Sequence, residues 1–132
     1  MTDHKTTHDA DADVRNSDIK IYVNGDIVHR DAAKVSVYDS GFMLGDGIWE
    51  GLRLHHGKIA FLEDHLNRLW EGAAALAFDI GLTKEALTKR IYDTLAANDM
   101  EDEVHIRLMV TRGLRSTPYQ DPRVIITPAT IV

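Results

Sequence analysis

Hydrophobic positions along this chain change period several times, and each change marks an element. In DIKIYVNGDIV, starting at Asp18, Ile19, Ile21 and Val23 alternate with Lys20, Tyr22 and Asn24, the pattern of a half-buried strand. Asn24-Gly25 supplies the positive φ angles of a tight turn and Ile27-Val28 begins a return strand, which predicts a hairpin. AKVSVYD predicts another short strand. GFMLGDGIWEGLR, Gly41 to Arg53, packs its glycines so densely that Gly41, Gly45 and Gly47 predict a turn. IWEGLRLHHGKIAFL predicts a second hairpin, turning at His56-Gly57.

Helical spacing takes over in EDHLNRLWEGAAALAF, where Leu66, Leu69, Trp70, Ala73, Leu76 and Ala77 form one stripe. Gly81 is positioned to end that helix and Thr83 to cap the next. The second stripe is Leu87, Ile91 and Leu95, with Asn98 as its stop. In EVHIRLMVTRG the period returns to two: Val104, Ile106, Leu108 and Val110 share one face, and His105, Arg107, Met109 and Thr111 the other. LRSTPYQDP predicts a loop and RVIITPATIV a final strand. Strands, two helices and strands again predict an α+β domain with a mainly antiparallel sheet.

The first 17 residues, MTDHKTTHDADADVRNS, lack any apolar run and predict a solvated, disordered leader before a domain spanning 18–132. The 132 residues suffice for one core, and 44% hydrophobic content is that of a globular protein. A net charge of -6 gives no broad basic surface for nucleic acid. There are no cysteines, hence no disulfides or thiolate metal sites, and no run of the roughly 20 apolar residues that a membrane span needs. A cytoplasmic protein without membrane or nucleic-acid partners is expected.

Face by face, Trp49, Gly51, Arg53 and His55 lie on one side of IWEGLRLH, with Ile48, Leu52, Leu54 and Glu50 on the other. If this strand neighbours the one holding His105 and Arg107, two guanidiniums converge beside an aromatic ring. That is a seat for a small carboxylate, because arginine offers a planar two-pronged donor. A solvated sheet face carrying routine arginines is the commoner alternative. Glu50 fits either a half-buried acid with a raised pKa or an edge position. Arg68 fits either a surface residue with its stem along the core or a phosphate ligand. His4, His8, His29, His55, His56, His65 and His105 show no paired helical spacing with a third ligand, so no metal is expected. GDG lacks the spacing and lysine of a P-loop, and no nucleophile elbow is present.

The order DSGFMLGDGIWEGLR, FLEDHLNRL, VHIRLMVTRG resembles the amino-terminal half of the class IV aminotransferases. These are fold type IV pyridoxal-phosphate enzymes that include branched-chain and D-amino acid aminotransferases and aminodeoxychorismate lyase. The resemblance covers Asp18 to Val132. It implies the small N-terminal domain of the D-amino acid aminotransferase-like fold. It also implies transamination of amino acids to 2-oxo acids with pyridoxal 5'-phosphate, and a homodimeric parent.

By the resemblance, Arg68 in HLNRL matches the arginine that binds the cofactor phosphate, and Trp49 an aromatic lining the substrate pocket, followed by Gly51 and Arg53. Arg107 matches an arginine of branched-chain members that follows a tyrosine by two residues; His105 stands at the tyrosine position here. Arg115, in the loop after Gly113, is a further candidate for carboxylate contact. The Schiff-base lysine of the family belongs to a carboxy-terminal domain absent from this chain. None of Lys5, Lys20, Lys34, Lys58, Lys84 and Lys89 matches it. The isolated chain is therefore expected to be inactive. EGLR and HIR lean toward the branched-chain type, GFMLGDG toward the D-amino acid or lyase type. A stand-alone domain that binds a small anion or a protein is the reading from another class.

Overall fold

The computed structural model describes residues 12–132. β1 (Lys20–Val23) and β2 (Asp26–His29) form a hairpin that turns at Asn24-Gly25, with φ of 50° and 104°. A second, four-stranded sheet has the order β4-β3-β5-β6, built from β3 (Gly47–His55), β4 (Lys58–Ile59), β5 (Val104–Thr111) and β6 (Thr130–Ile131). Every pairing is antiparallel. The β3–β4 hairpin turns at His56-Gly57, as its sequence predicts. Asn24 ties the sheets together: its N–H donates to the Ile131 carbonyl and its side-chain oxygen accepts from the Ile131 N–H.

Two helices cover one face of the larger sheet. α2 (Leu62–Ala75) buries Leu66, Leu69 and Ala73; α3 (Lys84–Ala97) buries Leu87, Ile91 and Leu95. They meet Leu52 and Leu54 from β3 and Val104, Leu108 and Val110 from β5 in one core. Each large aliphatic side chain buried this way contributes roughly 1.5–3 kcal/mol. The predicted caps of α3 hold: Thr83 Oγ1 accepts from Ala86 N–H at 3.1 Å, and Asn98 closes the other end. An α+β domain with a mainly antiparallel sheet and two long helices is the architecture found.

Four local expectations change. GFMLG is a short helix rather than a turn: α1 (Ser40–Leu44), with Asp39 as its N-cap and Gly45 closing it at φ 67°. AKVSVYD is irregular, because Val35 and Val37 both face solvent and the segment's one ladder contact is the Asp39–Leu114 bridge. α2 stops at Ala75, well before Gly81, with Ala77 at φ 56° and the Leu76 and Ala77 carbonyls taken up by Arg112. RVIITPATIV contributes only the two residues of β6, since Pro122 opens a 3-10 turn and Pro128 lacks the N–H a ladder needs. Of the predicted leader, residues 1–11 lie outside the described residues. Its end is ordered: Val14–Asn16 form a 3-10 turn, and Arg15 donates to the carbonyls of Asp102 and Glu103 at 2.9 Å each.

Candidate functional site

β3 and β5 pair over their full length, with Trp49 opposite Met109, Gly51 opposite Arg107 and Arg53 opposite His105. Because side chains alternate across a strand, these six residues share the face turned away from the helices. The two strands are neighbours, as the predicted convergence requires, and they put Arg53 and Arg107 on one face. The Arg107 guanidinium stacks on the Trp49 ring, 4.0 Å from its centroid. Arg53 is the diagonal neighbour of Arg107, roughly 7–8 Å away at the backbone.

Gly51 leaves a gap between these groups. A Cβ there would touch His105 Nε2 at 3.4 Å and Trp49 at 3.9 Å, so a methyl group would occupy the gap without breaking the strand. A cleft of about 520 Å³ adjoins the face, lined in part by Trp49, Met109, Val35 and Phe42. No outward position of β3 or β5 carries a carboxylate or a lysine. The face combines one cation stacked on an aromatic ring, a second, exposed cation and an open glycine position, a donor set for a small carboxylate with an apolar substituent.

The turn before β3 aligns this surface. Asp39 Oδ1 accepts from the Gly41 N–H at 2.8 Å and its Oδ2 from the Thr111 hydroxyl at 2.9 Å, which pins α1 to the end of β5. Gly47 lies so close to β5 that a Cβ would stand 2.9 Å from the Val110 carbonyl oxygen. Asp46, between the two glycines, pairs with Arg112 at 2.7 Å and with Arg115 at 3.2 Å. The buried Arg115 also donates to the Tyr119 and Asp121 carbonyls. The structure thus sets Arg115 apart from the Trp49–Arg107 face, inside the loop it folds.

Arg68 also lies elsewhere, on α2 at the helix side of the sheet. It grips the buried carboxylate of Glu50, Nε to Oε1 at 2.7 Å and Nη2 to Oε2 at 2.6 Å, and His65 Nδ1 sits 2.7 Å from the same Oε2. Hydrogen bonding from Arg68 holds the Glu50 carboxyl below its ordinary range, outweighing burial, with His65 adding in the same direction. Neither sequence-level alternative for Glu50 survives: the residue is buried mid-strand and its pKa is lowered. Sequence reading missed this triad; Glu50 on an otherwise apolar face was the signal that a cation must meet it. Arg68 Nη1 has no hydrogen-bond partner among the described residues, and the side chain is 68% exposed. This leaves the two N–H donors of Nη1 with which to meet an anion such as a phosphate.

Residues 47–131 match the family described as amino-transferase class IV. The chain is 46% identical over 107 residues to branched-chain-amino-acid aminotransferase-like protein 1 of Arabidopsis thaliana, covering 81% of this chain and 19% of that protein. It is 36% identical over 110 residues to D-alanine aminotransferase of Listeria innocua, covering 83% and 36%. The fold superposes on the branched-chain aminotransferase of Thermoproteus uzoniensis, crystallised with norvaline, with a TM-score of 0.71 and 28% identity, over 86% of this chain and 39% of that one. The chain therefore spans well under half the length of these relatives. With the family match covering most of its length and the same fold in a solved member, the chain belongs to the class IV aminotransferases.

Proposed function

We propose that this chain is the substrate-facing small domain of a longer pyridoxal-phosphate-dependent transaminase acting on branched-chain amino acids and their 2-oxo acids. The observation that carries this reading is the Arg107–Trp49 stack beside the open Gly51 position, with Arg53 and His105 opposite one another. Arg107 and Arg53 hold the substrate carboxylate, Trp49 walls its apolar side chain, and Gly51 leaves the room that branching requires. His105 lies against the same gap and orients the bound acid. From the helix side of the sheet, Arg68 offers Nη1 to the cofactor phosphate, while Glu50 fixes the direction of that guanidinium. When bound, the cofactor supplies the electron sink that lets the α-proton leave.

The fit to the cofactor is partial. Arg68 is the residue proposed for the phosphate, whereas the described lysines, Lys20, Lys34, Lys58, Lys84 and Lys89, all lie off the outward positions of β3 and β5. The 132 residues alone are accordingly proposed to lack turnover. No helix among the described residues is long and apolar enough to cross a membrane. A cytoplasmic, homodimeric parent completes the reading.

Assaying the full-length parent with pyridoxal phosphate against L- and D-amino acids tests it. Turnover of L-leucine, L-isoleucine or L-valine, with Arg107→Ala reducing kcat/KM at least about tenfold, is the expected result. Turnover confined to D-amino acids would move the reading to the D-alanine type, which the Listeria relative favours. Turnover of aminodeoxychorismate instead would move it to the lyase.

A further inference from the structure

At the end of the sheet remote from Gly47, the β3–β4 turn meets the residues that lead into β5. His55 Nδ1 lies 3.0 Å from Glu103 Oε1 and 3.9 Å from Asp102 Oδ1, and all three donor atoms fall within 4.8 Å of one another. His56 adds a second imidazole, its Nδ1 2.9 Å from Asp102 Oδ2. We propose that His55, Asp102 and Glu103, with His56 at the margin, form a binding site for a divalent first-row transition ion.

The geometry carries this in three ways. In a tetrahedral zinc site with bonds of roughly 2.0–2.2 Å, neighbouring donor atoms stand about 3.4 Å apart, and the two observed separations bracket that value. The donors are nitrogen and oxygen, a set that suits zinc, nickel or cobalt and not a thiolate-seeking ion. A site of two carboxylates alone would suit calcium or nothing; the converging His55 nitrogen sets this cluster apart.

The framework is also in place before any ion arrives. His55 ends a strand paired on both sides, opposite Lys58 in one neighbour and one residue beyond the Leu54–Val104 pair in the other. Asp102 Oδ1 accepts from the N–H groups of His56 and Glu103, and Arg15 fixes the carbonyls of Asp102 and Glu103. The Arg15 guanidinium pairs with Asp13 and with neither of these carboxylates, so an ion has to displace only the imidazole contacts they already make. Both imidazoles are exposed and reachable from water. Histidine and acidic ligands come from adjacent pairs on two distant segments, which explains why no helical spacing announced the site. Its effect would be to clamp the β3–β4 turn to the start of β5, independently of any transaminase role.

Calorimetric titration of the intact 132-residue chain with Zn²⁺ or Ni²⁺ tests the proposal. One saturable ion per chain is expected, together with a rise in melting temperature. His55→Ala and Glu103→Gln should each weaken binding at least about tenfold, as loss of one of three ligands requires. The Glu103 side chain is largely exposed, so Glu103→Gln keeps the fold, and unchanged circular dichroism verifies this. His4→Ala/His8→Ala should bind as the parent chain does. Absence of saturable binding up to about 1 mM metal would overturn the site. So would binding that survives in the His55→Ala/Glu103→Gln double variant or vanishes with His4 and His8.

Discussion

Glu50 shows how one side chain carries both packing and charge. The residue is 4% exposed, yet its carboxylate is engaged by Arg68 and His65 across the α2–β3 contact. Because its folded pKa is lowered from 4.5, its contribution is complete above that value and disappears as pH falls through the folded one. The melting temperature should therefore drop on acidification below about pH 4.5. Glu50→Gln should cost about 1–3 kcal/mol at pH 7 and flatten that acid limb, measured by thermal melts from pH 7 to 3. An unchanged acid limb in the variant would assign the effect to other carboxylates. On the opposite face Gly51→Ala tests the gap. The Cβ meets only ordinary contacts, so stability should hold within about 0.5 kcal/mol. In the full-length parent the KM for branched substrates should rise at least about threefold, because the methyl takes space proposed for substrate.

Among the elements, α1 is the one whose sequence signals conflict. Ser40–Leu44 is too short to persist by propensity alone, so its two ends must hold it. Asp39 caps the first N–H groups and Thr111, and the Ser40 hydroxyl donates to the Gly113 carbonyl at 2.6 Å. Asp39→Ala should cost about 1–2 kcal/mol in urea unfolding while Asp39→Asn, which can still cap, loses less. Equal losses in the two variants would mean the cap is not what matters. β3, β5 and α3 were legible because a strict period, a helix stripe and the Thr83 cap each had one interpretation. α1 was hidden because Gly41, Gly45 and Gly47 signal a turn, and only the Asp39 cap with Phe42 to Leu44 says helix. AKVSVYD has the alternation of a strand, but alternation cannot say whether a partner strand exists, and Val35 and Val37 face water. The pairing of β3 with β5 brought Trp49, Arg53, His105 and Arg107 to one face as their alternation suggested. The positions of Arg68 and Arg115 depend on the long-range partners Glu50 and Asp46, which no local pattern names.

For the molecule as a whole, the distribution of apolar surface is uneven. The helix side of the larger sheet is sealed by α2 and α3, but Phe42 is 69% exposed, Trp49 58%, Val35 47% and Met109 43%. These four side chains border the same cleft, so they act as one patch instead of scattered surface residues. The described domain therefore presents water with a surface of the kind that proteins usually cover. Sedimentation equilibrium of the 132-residue chain should show average mass rising with concentration. Phe42→Ser should suppress that rise while leaving the melting temperature within a few degrees, since Phe42 adds almost nothing to the core. If Phe42→Ser associates as strongly as the unmodified chain, association runs through another surface. A strict monomer at high concentration in the unmodified chain would show the patch to be harmless to the isolated domain. A substrate-facing role would then rest on Trp49, Gly51 and Arg107 alone.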